Sequence, residues 1–154
     1  MKRIYGLVLL LLLTFAAGIR AQKSTATGGH DALTVNVTGL RNTQGRVWIG
    51  LWNSPAGFPE GDHYAVRNIW IESSEAKQGT LTTTFADLPP GEYALVALHD
   101  ENRNEKLDKN FLGIPKEGWG VSNGFFSKTH GPSFEGAKFA VNQPTQTVTV
   151  PVRY

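Results

Sequence analysis

Cysteine is absent from all 154 residues of the chain, which excludes disulfides, thiolate metal sites and a lipid attached to an N-terminal cysteine. No basic cluster appears after residue 21, so the sequence does not predict the positive stripe of a nucleic-acid-binding domain. No apolar pattern of helical period runs for more than about two turns. The stability of the folded domain must therefore come from a packed core that is built mainly of strands.

One long apolar run is present at the N-terminus. Positively charged Lys2 and Arg3 precede an almost wholly apolar stretch at residues 4–17, which has the length of a signal-peptide core and is short for a membrane span. Ala21 offers a small side chain for cleavage, so we expect residues 1–21 to be a signal peptide. A retained anchor helix is the alternative. We expect an exported protein, periplasmic or secreted, with no stable membrane span after cleavage.

The expected cleavage changes the charge of the chain. It removes Lys2, Arg3 and Arg20, which leaves 12 of the 15 basic side chains against 13 acidic ones and a formal charge near −1. The sequence pI of about 9.0 therefore describes the precursor and gives no support for nucleic-acid binding.

The remainder of the chain alternates apolar and polar residues with the period of two that is typical of half-buried strands. After a flexible tether at residues 22–32, the predicted strands are residues 33–38, 46–52, 69–71, 80–85, 93–98, 137–141 and 146–154. The fifth is apolar on both faces, which predicts a central strand, and Pro151 places the last at an edge. Residues 33–154 are thus predicted as one all-β domain, an antiparallel β-sandwich of about seven strands with a long loop between strands five and six.

Tryptophans share one face of two predicted strands. Trp48 and Trp52 lie opposite the aliphatic residues of their strand, with Gly50 between them, and Trp70 has the same phase. If exposed, these rings would form an aromatic platform for a sugar ring or a hydrophobic partner. Alternatively, residues 54–64 or 111–126 cover them. The second of these segments is expected to pack through its own aromatic residues, Trp119, Phe125 and Phe126.

Side-chain oxygens replace the alternation after His99. Asp100, Asn102, Asn104 and Asp108 occupy positions one, three, five and nine of a loop, the spacing at which a chain wraps oxygens around calcium. Glu105 stands where such loops favour glycine, and Phe111 stands where a closing acid belongs. The predicted Ca²⁺ ligands are Asp100, Asn102, Asn104, the Lys106 carbonyl, Asp108 and, in place of the missing acid, Glu117, with Glu101 as the alternative to Glu117.

Two alternatives remain for this loop. Its Asn and Asp side chains could cap their own backbone in successive Asx-turns without metal. Its carboxylates could instead provide an acid and base pair for glycan hydrolysis, the candidates being Asp100, Glu101, Asp108 and Glu117. Zinc is not favoured, because the histidines at positions 30, 63, 99 and 130 are scattered. Neither Ser122 nor Ser127 has a recognisable base partner.

The run HDENRNEKLDKNFLGIPKEGWGVSN, preceded by FADLPPGEYALVALHD and followed by GPSFEGAKFAV, closely resembles domain-of-unknown-function family 2141, a family of exported bacterial proteins. The resemblance covers the mature domain from about Leu33 to Tyr154. It implies a secreted or periplasmic β-sandwich of the immunoglobulin-like or transthyretin-like kind, similar also to carboxypeptidase-regulatory-like domains, and implies no activity. We therefore expect a non-enzymatic binding or structural module whose partner is a protein or glycan.

Overall fold

A computed structural model describes residues 31–124 and 131–154, and within these ranges the chain forms eight strands in two sheets. The strands are β1 (Asp31–Thr38), β2 (Arg46–Trp52), β3 (Arg67–Glu72), β4 (Thr80–Leu88), β5 (Gly91–Asp100), β6 (Gly118–Val121), β7 (Phe139–Val141) and β8 (Thr145–Pro151). One helical turn, α1 (Phe134–Ala137), and three 3-10 turns complete the described secondary structure. The predicted signal peptide and nearly all of the predicted tether lie outside the described residues, as do Phe125 and Phe126.

The smaller sheet has the strand order β4-β1-β8, and the larger sheet has the order β3-β2-β5-β6, with β7 also paired to β5. One pair departs from the antiparallel prediction: β1 and β8 run parallel, in register from Ala32 opposite Thr145 to Thr38 opposite Pro151. Local alternation cannot reveal this pairing, because it joins the two strands most distant in sequence. The edge position predicted for the last strand from Pro151 is confirmed.

The main core lies among the aliphatic side chains of both sheets. Leu33, Val35 and Val37 of β1 are completely buried, and the residues between them are partly exposed, as the alternation predicts. Their partners in one contiguous cluster include Val47, Ile49 and Leu51 of β2, Leu81, Phe85 and Leu88 of β4, Leu95 and Ala97 of β5, and Val150 of β8. Burial of these side chains provides the main stabilisation of a domain that has no cysteine.

Strand β5 is buried on both faces, which confirms its predicted central position. Its second face carries Ala94 and Val96, which pack with Trp52, Val121 and Phe134 in a separate apolar cluster. The helical turn α1 belongs to this cover. It begins after Ser133, whose hydroxyl accepts a hydrogen bond from Gly136 N at 3.2 Å. The outer face of the larger sheet is therefore also covered by apolar packing.

Several boundaries differ from the prediction. Strand β1 begins at Asp31, two residues inside the predicted tether, and residue 137 ends α1 instead of beginning a strand. The four-residue strand β6 was not predicted, because two of its residues are glycine and its apolar pattern is too short to detect. It divides the predicted long loop between strands five and six, and residues 101–117 form the loop between β5 and β6.

In the part of the chain that the structure describes, no helix has the length and apolar character needed to cross a membrane.

Candidate binding site

The loop between β5 and β6 starts from a buried carboxylate. Asp100, the last residue of β5, is fully buried, and its two carboxylate oxygens accept hydrogen bonds from Asn104 N at 3.1 Å and Glu105 N at 3.0 Å. The chain must turn back over Asp100 immediately after the strand to make these contacts. Hydrogen bonds from backbone N–H groups to a buried carboxylate are among the stronger kind in proteins.

Asn102 and Asn104 form the successive Asx-turns of the metal-free alternative. Asn102 Oδ1 accepts a hydrogen bond from Asn104 N at 3.1 Å, and Asn104 Oδ1 accepts one from Lys106 N at 2.9 Å. Both amide nitrogens donate to the carboxylate of Asp108, at 2.7 Å and 3.0 Å. Four of the predicted ligand side chains therefore lie close together and satisfy one another and the backbone.

Glu105 occupies the position where calcium loops favour glycine, and it adopts the conformation that glycine would. Its φ is 63°, and Arg103 has the same value two residues earlier. An ion pair of 2.7 Å between Glu105 and Arg46 of β2 accompanies this left-handed backbone. The predicted tight turn is therefore present despite the departure from glycine, at the conformational cost of a side chain in the left-handed region.

Glu117, predicted as the substitute ligand, joins two parts of the loop. It is nearly buried, and its carboxylate accepts hydrogen bonds from Glu101 N at 3.0 Å and Asp108 N at 3.1 Å. Glu117 thus lies next to the Asx-turns through the backbone of Asp108. Lys106, whose carbonyl was predicted to be a ligand, has an exposed side chain.

Metal-binding clusters of at least three His, Cys, Asp or Glu side chains are not found within residues 31–124 and 131–154. Of the histidines, His63 is exposed beside Asp62, and His99 is fully buried. The ring of His99 makes hydrogen bonds with Tyr154 Oη at 2.6 Å and the Gln44 carbonyl at 2.8 Å. The histidines at positions 30 and 130 lie outside the described residues.

Ion pairs attach the loop to the connection between β1 and β2 and to strand β3. The Arg41 guanidinium pairs with the Glu101 carboxylate, and Asn42 Nδ2 donates to Glu101 at 2.5 Å. The hydrogen bond from Arg41 is the main reason why the pKa of Glu101 is lowered, and it outweighs the opposing effect of burial. Arg103 makes a second attachment through a 3.0 Å hydrogen bond to Glu72 of β3.

A cleft of about 750 Å³ lies beside the loop. Its aromatic lining consists of Trp48, Trp70 and Trp119, which come from β2, β3 and β6. Its polar lining residues are Glu60, Asp62, Asn68, Glu105, Lys106 and Lys109. Half-buried aromatic rings beside a few polar groups are the usual lining of a ligand pocket, so we assign this tryptophan cleft as the candidate binding site.

The predicted tryptophan face divides into a covered part and an open part. Trp52 is fully buried, and its ring packs edge-to-face on Phe58 of the 54–64 segment at 5.4 Å. Trp48 contacts Trp52 at 5.8 Å and Trp70 at 6.4 Å between ring centroids, and it remains half-buried at the cleft. A Cβ atom on Gly50 would lie 2.4 Å from the Trp48 ring, so glycine makes room for this stack.

Arg46 connects the loop with the cleft, and sequence reasoning did not identify it. Its guanidinium lies over the Trp70 ring at 4.1 Å, and its Nε is 3.6 Å from the Asp100 carboxylate. The register of β2 explains these contacts, because Arg46 is paired with Asp100 on the neighbouring strand β5 and with Glu72 on the neighbouring strand β3. A charged residue at the start of an apolar strand, before two tryptophans, is the only signal in the sequence.

The carboxylates considered for hydrolysis hold the loop together. Asp100 and Glu117 bind backbone N–H groups, Asp108 binds two amides, and Glu101 pairs with Arg41. None of these four side chains is among those that line the tryptophan cleft.

Comparison with known proteins gives one match: residues 35–149 correspond to a family described as an uncharacterized protein conserved in bacteria, DUF2141. No curated protein and no solved structure matches the chain.

Proposed function

The chain belongs to the DUF2141 family of uncharacterised bacterial proteins, and we propose that it is a non-enzymatic module that binds a glycan in the tryptophan cleft. The observation that carries this proposal is the meeting of Trp48, Trp70 and Trp119 at one cleft of about 750 Å³. Indole rings pack against the apolar faces of sugar rings, and polar groups at the same site bond to sugar hydroxyls. Asn68 and Lys109 are suitable for the second role, as an amide and an ammonium group.

Calorimetric titration with a panel of neutral and acidic oligosaccharides tests the proposal. We expect binding by the unaltered protein and an affinity about fivefold or more lower for Trp70→Ala, because the lost stacking is worth about 1 kcal/mol or more. Tyr64→Ala is the matched control, since Tyr64 is an exposed aromatic residue that does not line the cleft. Absence of binding across the panel, or equal losses in the two variants, contradicts a glycan site here.

For the loop, the hydrogen bonds favour the metal-free alternative over calcium. The oxygens of Asp100, Asn102 and Asn104 accept from backbone N–H groups, and Asp108 accepts from both amides. This bonding holds the loop without the charge of a cation. Calcium binding stays a prediction from the residue spacing. It would require the same oxygens to turn toward the ion.

Thermal unfolding distinguishes these two hypotheses. Calcium that binds only the folded state would stabilise it by about 2.7 kcal/mol at a hundredfold excess over Kd. For a metal-free loop, chelator-treated protein keeps the same Tm when calcium is added, and Asp108→Ala lowers the Tm equally in both conditions. A calcium-dependent rise in Tm that is lost in Asp108→Ala supports the calcium hypothesis instead.

A glycan hydrolase that uses the loop carboxylates is the less supported alternative. Asp100, Glu101, Asp108 and Glu117 are engaged in hydrogen bonds or ion pairs and do not line the cleft. Hydrolysis requires an acid and a base on either side of the bound sugar. An oligosaccharide that binds the protein should be recovered intact after prolonged incubation, and release of a shorter product would favour the hydrolase.

We also propose that the two sheets form a β-sandwich of the immunoglobulin-like or transthyretin-like kind, and that the protein is exported. The shared core of β1, β2, β4, β5 and β8 supports the first proposal. The apolar run at residues 4–17 supports the second. Mass spectrometry of protein purified from the cell envelope tests export, and we expect the mature chain to begin at Gln22.

A further inference from the structure

An apolar tip projects from the second half of the loop. Phe111, Leu112 and Ile114 are 95%, 67% and 53% exposed, and they provide three of the six exposed large hydrophobic side chains among the described residues. Single exposed hydrophobic residues are common on protein surfaces, whereas a cluster of them marks a site of contact with another protein or a membrane. The tip, defined as residues 109–116, lies beyond the hydrogen-bonded Asx-turns and adds nothing to the core.

The backbone of the tip is closed on itself. Lys109 and Pro115 form a β-bridge, Asn110 N donates to the Ile114 carbonyl at 2.8 Å, and Gly113 N donates to the Asn110 carbonyl at 2.9 Å. Asn110 Oδ1 accepts from both Leu112 N and Ile114 N, at 2.9 Å and 3.0 Å. Gly113 closes the turn with a φ of 78°.

This closure matters for transfer into a lipid phase. A backbone N–H group without a partner is costly in hydrocarbon, where no water replaces the lost hydrogen bond. In the tip, the N–H groups of residues 110, 112, 113 and 114 all have acceptors within the tip itself, and Pro115 has no N–H. The apolar part of the tip can therefore leave water with all its backbone N–H donors already bonded, apart from that of Phe111.

The charged side chains of the tip itself have one sign, whereas the carboxylates of Glu60, Asp62 and Glu105 line the neighbouring cleft. Lys109 and Lys116 flank the apolar residues, both are exposed, and no carboxylate occurs in residues 109–116. Lys106, three residues before Lys109, adds a third exposed ammonium group. Within the described residues, none of these three lysines is in an ion pair. The adjacent acids, Asp108 and Glu117, are directed to hydrogen bonds inside the loop. An apolar projection flanked by lysines complements a surface that is anionic outside and apolar beneath.

We propose that residues 109–116 insert Phe111, Leu112 and Ile114 into an anionic phospholipid surface, with Lys109 and Lys116 at the level of the headgroups. The protein is then a peripheral membrane protein whose cleft opens next to the bilayer, since Lys109, Gly113 and Pro115 also line the cleft. This inference can be tested separately from the cleft ligand, because Phe111, Leu112 and Ile114 do not line the cleft, and Lys109 is the one side chain that both proposals use.

The absence of cysteine provides a site-specific test. Leu112→Cys creates a single thiol for an environment-sensitive fluorophore such as NBD, and Lys77→Cys places the same label on an exposed turn between β3 and β4. With protein purified from the cell envelope, we expect vesicles of mixed phosphatidylglycerol and phosphatidylcholine to shift the emission of the label at residue 112 to shorter wavelength. The label at residue 77 should not respond, which excludes insertion by the fluorophore alone.

Charge reversal tests the role of the lysines. In the protein labelled at residue 112, Lys116→Glu should raise the lipid concentration for half-maximal response roughly tenfold or more, because each charge near an anionic surface is worth about 1 kcal/mol. Lys77→Glu makes the same change in net charge far along the chain from the tip and should have little effect. Equal effects of the two reversals would contradict an oriented contact.

Three results overturn the proposal. The first is no response of the label at residue 112 to anionic vesicles. The second is an equal response to vesicles of phosphatidylcholine alone, which would show that Lys109 and Lys116 do not contribute to binding through the anionic headgroups. The third is a response that grows with protein concentration in the absence of vesicles, which identifies a second copy of the chain as the occupant of the apolar tip.

Discussion

The two halves of the loop between β5 and β6 are built in opposite ways. In the half from Asp100 to Asp108, the side-chain oxygens of the two Asp and two Asn residues accept hydrogen bonds from N–H groups of the loop itself. In residues 109–116, a single side chain, Asn110, and the backbone itself supply the hydrogen bonds. Apolar side chains are left facing water.

This difference separates stability from function within one segment. Side chains that already make hydrogen bonds within the loop stabilise it and have few free atoms with which to bind a ligand. Exposed side chains on a hydrogen-bonded backbone can bind a partner and contribute little to the stability of the fold. The acidic half, which looks functional in the sequence, therefore acts as the support. The cleft and the tip are the surfaces that we propose for recognition.

The largest expected effect is that of Asp100→Ala. This substitution removes the acceptor of Glu105 N and one of the two acceptors of Asn104 N, and it removes the carboxylate that faces the buried Nε of Arg46. Each buried donor without an acceptor costs about 1 to 3 kcal/mol. We expect the free energy of unfolding in urea to fall by about 2 kcal/mol or more. Asp62→Ala, at an exposed acid, should change it by less than about 0.5 kcal/mol. A loss below about 1 kcal/mol for Asp100→Ala would mean that the Asx half is not the support.

Glu105 gives the next largest effect, and the informative comparison is between two replacements. Glu105→Ala and Glu105→Gly both remove the ion pair with Arg46, so that contribution cancels. The φ of 63° penalises alanine but not glycine, and we expect the glycine variant to be more stable by about 1 kcal/mol in equilibrium unfolding. Equal stability of the two variants would show that residue 105 relaxes out of the left-handed conformation.

The sequence revealed the Asx half because its contacts are local. Asn102 and Asn104 bond to residues two positions away, and Asp100 bonds to residues four and five positions away, so spacing alone predicted that these side chains meet. It could not decide whether the oxygens turn to a cation or to the backbone, because both arrangements need the same spacing.

The tryptophan cleft could not be predicted in the same way. Trp48 and Trp70 are opposite each other across β2 and β3, and Trp119 reaches the cleft through the pairing of β6 with β5. These contacts depend on strand order, which local periodicity does not contain. Strand β6 could not be predicted either, because two glycines among its four residues weaken the alternation of apolar and polar residues. Its pairing partners, on β5 and at Arg153, are distant in sequence.

A smaller effect concerns pH. The pKa of Glu101 is lowered in the folded protein, first by its hydrogen bond with Arg41. The stability from this contact is therefore complete above the unfolded pKa of about 4.3 and is lost as the pH falls through the lower folded value. We expect Glu101→Gln to cost no more than about 1 kcal/mol at neutral pH and nothing in strong acid. A cost that persists in acid would assign the contribution of Glu101 to packing.

The smallest expected effect on stability belongs to the apolar tip. Replacing Phe111, Leu112 and Ile114 together by serine should change the free energy of unfolding by less than about 0.5 kcal/mol, because these side chains are exposed in the folded protein. The same urea titration that measures Asp100→Ala measures this variant. A loss above about 1 kcal/mol would show that the tip packs on the domain. If stability is kept while binding to anionic vesicles is lost, the two halves of one loop divide folding and recognition between them.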